Sequence, residues 1–213
     1  MSVAALTFHQ EETQQGNLSD KGSPQKISWE EFESDYLNRE DGYKYEWVHG
    51  MVEKTDRTMN PTQLYIQGNL IAFFHSLLFK GKVDGKLLAE ADLKFLSNVH
   101  RRPDAVWLTD EQIYRLAEPK TIEVPLFLIE VISKHDKMED LEKKMDEYRT
   151  AGVRVVWQIF PSSKTVHVYS GADMTEMKVR KGEDVCSAKP ALNDFEMKVS
   201  EVFFKKIVSQ QPE

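Results

Sequence analysis

Residues 125–133 read PLFLIEVIS, and the fold turns on this stretch. It is apolar at consecutive positions, so it has no polar face to offer to water. A strand of that kind belongs in the interior of a sheet covered on both sides. Glu130 interrupts the run. Burying an unpaired carboxylate costs several kcal/mol, about the size of a domain's whole stability margin, so such a residue is paired, hydrogen-bonded or bound to a cation. The plainer of these readings is a buried salt bridge.

The flanking sequence alternates helix and strand signals. After the run, residues 137–150 read as a charged helix closed by Gly152. Residues 153–160 and 165–169 then read as two strands around the turn PSSK, followed by a strand near 177–180 and a closing segment at 199–207. Before the run, Ser28 and Glu31 form a capping-box pattern that predicts a helix of about ten residues ending near Asn38. Residues 43–54 (YKYEWVHGMVEK) read as a strand with Gly50 as a bend or bulge. Pro61 opens a helix whose apolar positions recur up to Phe79, ahead of Gly81. Short strands follow at 87–91, 93–96 and 104–108, and then a short helix at 110–117. The sum is a mixed α/β domain, a sheet flanked by helices, over residues 26–208. Residues 1–25, rich in Gln, Glu, Ser, Gly and Asn, read as a disordered tail.

Composition narrows the function. The chain has 213 residues, which suits one domain plus a tail. A net charge of −7 argues against a broadly basic nucleic-acid coat and leaves room for a local basic groove or a carboxylate site around a cation. One cysteine excludes an internal disulfide framework and a Cys-rich zinc site. No apolar stretch reaches the roughly 20 residues of a membrane helix, and no signal peptide is evident, so a cytoplasmic protein is expected. GxGxxG, GxxxxGK[ST], HExxH, GxSxG and CxxC are all missing, which removes support for dinucleotide, P-loop, zincin and serine-elbow chemistry.

Two further residues join Glu130. Asp104 stands at a strand entry in RRPDAVWL, where aspartate is uncommon; a solvated strand-start aspartate is the plainer reading. On the helix at 137–150, with Leu141 as zero and about 100° per residue, Met138, Met145 and Tyr148 lie within about 60°. Lys144 falls about 60° to the other side, and Lys143 about 160° away. Lys144 therefore leans over the sheet while Lys143 faces water, with Lys137 at nearly the same bearing as Lys144. A lysine snorkelling at the core edge is the plainer alternative. Two carboxylates on neighbouring strands suit one hard divalent cation, and an ammonium beside them suits phosphate. All-oxygen ligation points to Mg²⁺ or Mn²⁺, the equipment of phosphodiester hydrolysis.

These residues sit in a familiar order. YEWVHG (45–50), MNPT before a helix, RRPDAVW (101–107), LIEVIS (128–133), DLEKKMDEYRTAGV (140–153), VVWQIFP and VHVY together resemble the Uma2 family. This is the DUF820 group of restriction-endonuclease-like proteins, and the resemblance runs over about residues 27–207. The family is similar to the PD-(D/E)xK nuclease superfamily, with a central mixed β-sheet flanked by helices. The resemblance implies Asp104 as the PD aspartate and Glu130 as the second acid. The usual lysine place two residues on is Ile132 here, and the resemblance implies that the lysine has moved to the following helix, at Lys144. It further implies Glu46 as a contributor to the metal shell, directly or through water, and Ser133 as an orienting group for Glu130. Gln63 replaces a histidine found in many members, and Lys134 with His135 replaces a common proline–serine pair. Arg101, Arg102, Lys134, His135 and Lys137 would form a positive rim for a phosphate backbone, although each singly also reads as a solvated loop residue.

The expectation is a Mg²⁺- or Mn²⁺-dependent DNA endonuclease acting as a homodimer, because cutting two strands needs two sites. Asp104, Glu130 and Lys144 would be catalytic, Asp104, Glu130 and Glu46 metal-binding, and Ser133 and Lys137 supporting. The alternative is a nuclease-fold module that binds DNA or protein without turnover.

Overall fold

The structure is a computed structural model, and it describes residues 26–56, 60–118, 120–134 and 136–205. The expected tail at 1–25 lies outside these residues, as do His135 and the end of the expected domain at 206–208.

In chain order the elements are α1 (Trp29–Asp35), β1 (Tyr43–Val48), β2 (Met51–Asp56), α2 (Pro61–Leu78), β3 (Lys86–Ala89), β4 (Leu93–Leu96), β5 (Val99–Arg101), β6 (Ala105–Leu108) and α3 (Asp110–Arg115). Then come β7 (Phe127–Val131), α4 (Met138–Ala151), β8 (Val155–Phe160), β9 (Thr165–Ser170), β10 (Glu176–Lys181), β11 (Val185–Ser187), β12 (Glu196–Lys198) and α5 (Val199–Val202). A six-stranded mixed sheet runs β10-β9-β8-β7-β6-β3, with β7 and β8 parallel and the other pairs antiparallel. A four-stranded antiparallel sheet runs β2-β1-β5-β4, and β11 pairs with β12.

β7 is an interior strand, as its unbroken apolar run requires. Phe127 and Ile129 face α2, where Ile66, Leu70, Phe74 and Leu77 pack against them with Trp157 and Phe195. Leu128 faces the other way, toward Met145 and Tyr148 of α4 and Phe95 of the smaller sheet. Strand alternation therefore turns Glu130, two residues after Leu128, toward α4. On β6 the same parity puts Asp104 on the side of Val106 and Leu108. The antiparallel register pairs Ala105 with Ile129; carried one residue further, it sets Asp104 opposite Glu130.

The sequence-based elements hold with local changes. α1 is seven residues long, because only Phe32 is fully buried along it; Ser28 and Glu31 make the capping box. The strand expected over 43–54 is instead a hairpin. His49 (φ 51°) and Gly50 (φ 86°) form its two-residue turn, so Gly50 is the reversal point and not a bulge. α4 ends at Gly152, whose φ of 97° closes the helix in the left-handed region. Met138, placed on the apolar face by its bearing, is exposed in the first turn. β5 and the β11–β12 pair have no counterpart in the sequence-based reading.

Candidate active site

Asp104, Glu130, Lys144, Glu46, Ser133 and Lys137 all line one cleft of about 890 Å³. The cleft lies between the β1–β2 hairpin, the first turns of α2 and α4, and the adjoining ends of β6 and β7.

The two strand carboxylates are locked by groups of the fold. The Val131 backbone N–H donates to Asp104 Oδ2 at 2.6 Å, tying the entry of β6 to the end of β7. The Tyr148 hydroxyl donates to Glu130 Oε1 at 2.5 Å. Each acid keeps one oxygen, Asp104 Oδ1 and Glu130 Oε2, that accepts no hydrogen bond among the described residues. Burial and the neighbouring Glu130 charge push the Asp104 carboxyl up to about 6. A carboxylate pair of this kind, Glu130 buried and Asp104 partly exposed, is what a bound cation relieves.

One cation beside this pair is set by helix geometry. Lys144 and Tyr148 are four residues apart on α4 and so share the face turned to β7. Lys144 Nζ lies 3.3 Å from Glu46 Oε2 and 3.8 Å from Glu130 Oε1. Burial opposes its charge, but Glu130 and Glu46 outweigh that and raise its pKa. These ion pairs favour the charged ammonium at Lys144. Lys143, one residue earlier, is half exposed and reaches Glu53 at 3.2 Å. Lys137 is exposed at the N-cap of α4 and makes no ion pair among the described residues. Ser133 lies on the cleft wall, and its backbone N–H donates to Asp136 Oδ2 at 2.7 Å.

Glu46 occupies a different setting from the other two acids. Its Oε1 accepts the Arg102 N–H at 2.7 Å, and its Oε2 accepts from Arg101 Nη1 at 2.9 Å besides facing Lys144. Burial would raise its pKa, yet Lys144, Lys44 and Arg101 hold it well below the carboxylate range. Arg101, 1% exposed, also binds Glu53 and, at 2.8 Å, Glu147. This cluster bolts the small sheet to α4. It also corrects the expected positive rim, because a buried guanidinium held by three carboxylates faces no solvent. Arg102 is likewise turned inward, donating to the Glu90 carbonyl at 2.9 Å with Asp92 nearby.

Lys44 was missed from sequence. Its Nζ lies 3.8 Å from Asp104 Oδ1. The signal was available, since Lys44 and Glu46 are two apart on β1 and so share a face. The described lining contains eight carboxylates (Glu46, Glu53, Asp56, Glu90, Asp104, Glu130, Asp136, Asp140) and four lysines (Lys44, Lys54, Lys137, Lys144). That acid excess suits a cleft that takes up cations.

No group of three or more His, Cys, Asp or Glu side chains converges as a ready metal cage among the described residues. A pair of carboxylates nevertheless fits magnesium or manganese, which keep several waters and accept substrate phosphate oxygens alongside one or two protein carboxylates. Among the described residues the lining offers oxygen donors with no thiolate or imidazole beside them, which fits those hard ions better than zinc. No described helix is long and apolar enough to cross a membrane.

A family model for Uma2, described as "Putative restriction endonuclease", matches residues 29–200. Among solved structures the chain is similar to one described as a "putative nuclease belonging to DUF820" from Anabaena variabilis, with a TM-score of 0.67 and 17% identity. The alignment covers 83% of this chain and 97% of that one, and at this identity it establishes a shared fold. Among curated proteins there is no significant match.

Proposed function

The chain belongs to the Uma2 family, and on that premise we propose that it is a divalent-metal-dependent DNA endonuclease with Asp104, Glu130 and Lys144 as its catalytic set. The observation that carries this reading is the carboxylate pair itself. Two acids stand opposite each other at the adjoining ends of β6 and β7, each with one oxygen fixed by the fold and one left over, beside a lysine held in its charged form by Glu130 and Glu46.

Asp104 Oδ1 and Glu130 Oε2 would hold Mg²⁺ or Mn²⁺. When bound, the cation supplies positive charge to a phosphoryl oxygen and acidity to a coordinated water. The Val131 N–H and the Tyr148 hydroxyl fix the directions of the two carboxylates. Lys144 keeps its proton and offers N–H donors to a phosphoryl oxygen or to the attacking water, a charge already in place before the reaction begins. Glu46, engaged with Arg101 and the Arg102 N–H, positions Lys144. Ser133 and Lys137 stand on the wall where a neighbouring phosphate would lie. A homodimer would supply the second site that cleavage of both strands needs.

A second reading has a specific observation in its favour. The acid excess of the cleft and the inward-turned Arg101 and Arg102 leave little positive surface for a phosphate backbone, as a binding module without turnover would have.

Glu130→Gln separates the two. Purified wild type should nick or linearise supercoiled plasmid with Mg²⁺ or Mn²⁺ and not with EDTA, and the variant should lose this with little change in urea unfolding. Should the variant instead unfold several kcal/mol more easily, with no cleavage by wild type under any metal, Glu130 is a buried ion-pair partner and the chain is a module.

A further inference from the structure

Asp104 and Glu130 are each faced by one ammonium. Lys144 comes from α4 and sits by Glu130 and Glu46; Lys44 comes from β1 and sits by Asp104. The two lysines reach the pair from different elements, and both line the cleft. Lys44 faces Oδ1, the Asp104 oxygen that the Val131 N–H leaves open. Its side chain is 12% exposed, yet at 3.8 Å it is beyond hydrogen-bond distance, a loose ion pair and not a locked one. Lys144, by contrast, touches Glu46, which Arg101 and the Arg102 N–H hold in place.

We propose that Lys44 is a stand-in counter-ion that occupies the cation's place at Asp104 Oδ1 in the metal-free protein and passes to the substrate phosphate when the cation binds. This rests on the metal-dependent nuclease reading above. An ammonium and a divalent cation compete for the same oxygen, so the lysine weakens cation binding in the absence of DNA. Once the cation neutralises Asp104, the lysine has lost its ion-pair partner at Oδ1; Glu46, on the same face of β1, keeps it in the cleft, where it can turn to an incoming phosphodiester. Lys44 thus couples cation loading to substrate: the site closes fully only with both present. The cleft's negative lining makes such a device useful, since a phosphate backbone would otherwise meet mainly carboxylates.

The test is titration calorimetry of Mn²⁺ into wild type, Lys44→Met and Lys44→Gln, with Asp104→Asn as the baseline and no DNA present. The proposal expects both Lys44 variants to bind Mn²⁺ about three- to tenfold more tightly than wild type while retaining native circular dichroism. It also expects them to bind a non-cleaved DNA duplex in Ca²⁺ more weakly than wild type. Unchanged or weaker Mn²⁺ affinity in the folded variants, with wild type binding normally, overturns the role of Lys44 alone. If wild type binds Mn²⁺ no better than Asp104→Asn does, the metal-site reading fails and takes this inference with it.

Discussion

Tyr148 donates its hydroxyl to Glu130 Oε1 at 2.5 Å across the contact between α4 and β7, from a position with no exposed surface. The bond makes a helix residue part of a strand carboxylate's geometry. Tyr148→Phe keeps the ring against Phe95, whose centroid lies 5.2 Å away, and removes only the donor. The expected cost is about 1–3 kcal/mol in urea unfolding, from a buried carboxylate oxygen left without its partner. Mn²⁺ affinity should fall several-fold in the same protein. Native values of both would show that the hydroxyl does not direct Glu130.

Arg101→Met should cost about 3–5 kcal/mol, because Glu147 stays buried without its counter-charge and Glu46 is left with the Lys144 ion pair. Arg101→Lys should recover only part of this. A lysine has no planar fork to serve Glu46, Glu53 and Glu147 together. Chemical denaturation of the two variants checks the ranking, and a loss below about 1 kcal/mol for the methionine would contradict the cluster's role.

Adjacent lysines should behave oppositely. Lys144→Met is expected to lower plasmid cleavage about 10²–10³-fold, the size seen when one preorganised donor is removed from developing charge. Lys143→Ala should stay within twofold of wild type in cleavage and within about 0.5 kcal/mol in stability, since its ion pair with Glu53 is half exposed. Equal effects would remove the distinction that the α4 geometry draws.

The carboxylate pair predicts a pH dependence with a definite sign. The Asp104 carboxyl is raised to about 6 in the folded protein by burial and by the Glu130 charge, against about 3.9 for an unfolded aspartate. The folded chain therefore holds this proton more tightly. The stability it contributes is fully present below about pH 4 and lost as pH rises through 6. Urea unfolding of metal-free wild type should show this decline between pH 4 and about 7, and Asp104→Asn should lack it. Mn²⁺ affinity should rise over the same interval, because the cation needs the deprotonated pair.

Much of this arrangement was legible in the sequence. The interior strand of β7 followed from an apolar run with no polar face, and the carboxylate inside that run singled out Glu130. Helical bearing separated Lys144 from Lys143 before any coordinates. The missed parts are those that local pattern does not encode. β5 is three residues long and carries His100 and Arg101, so it shows no alternation; Val99 packs in the apolar core, His100 against Trp29 and Phe32, and Arg101 is buried by carboxylates from β1, β2 and α4. For the same reason Arg101 read as a rim cation when it is a buried one. The hairpin at His49–Gly50 was hidden because a turn with two positive φ angles is usually marked by Asn-Gly or Asp-Gly, and here a histidine holds the first place.

The central claim is that Asp104 and Glu130 together hold a divalent cation. Titration of Mn²⁺ at pH 8 into wild type and into the Asp104→Asn, Glu130→Gln double variant tests it most directly. The account predicts saturable binding near one cation per chain in wild type and none in a folded double variant. Equal binding by both proteins, or none by wild type even with a DNA duplex present, would contradict it.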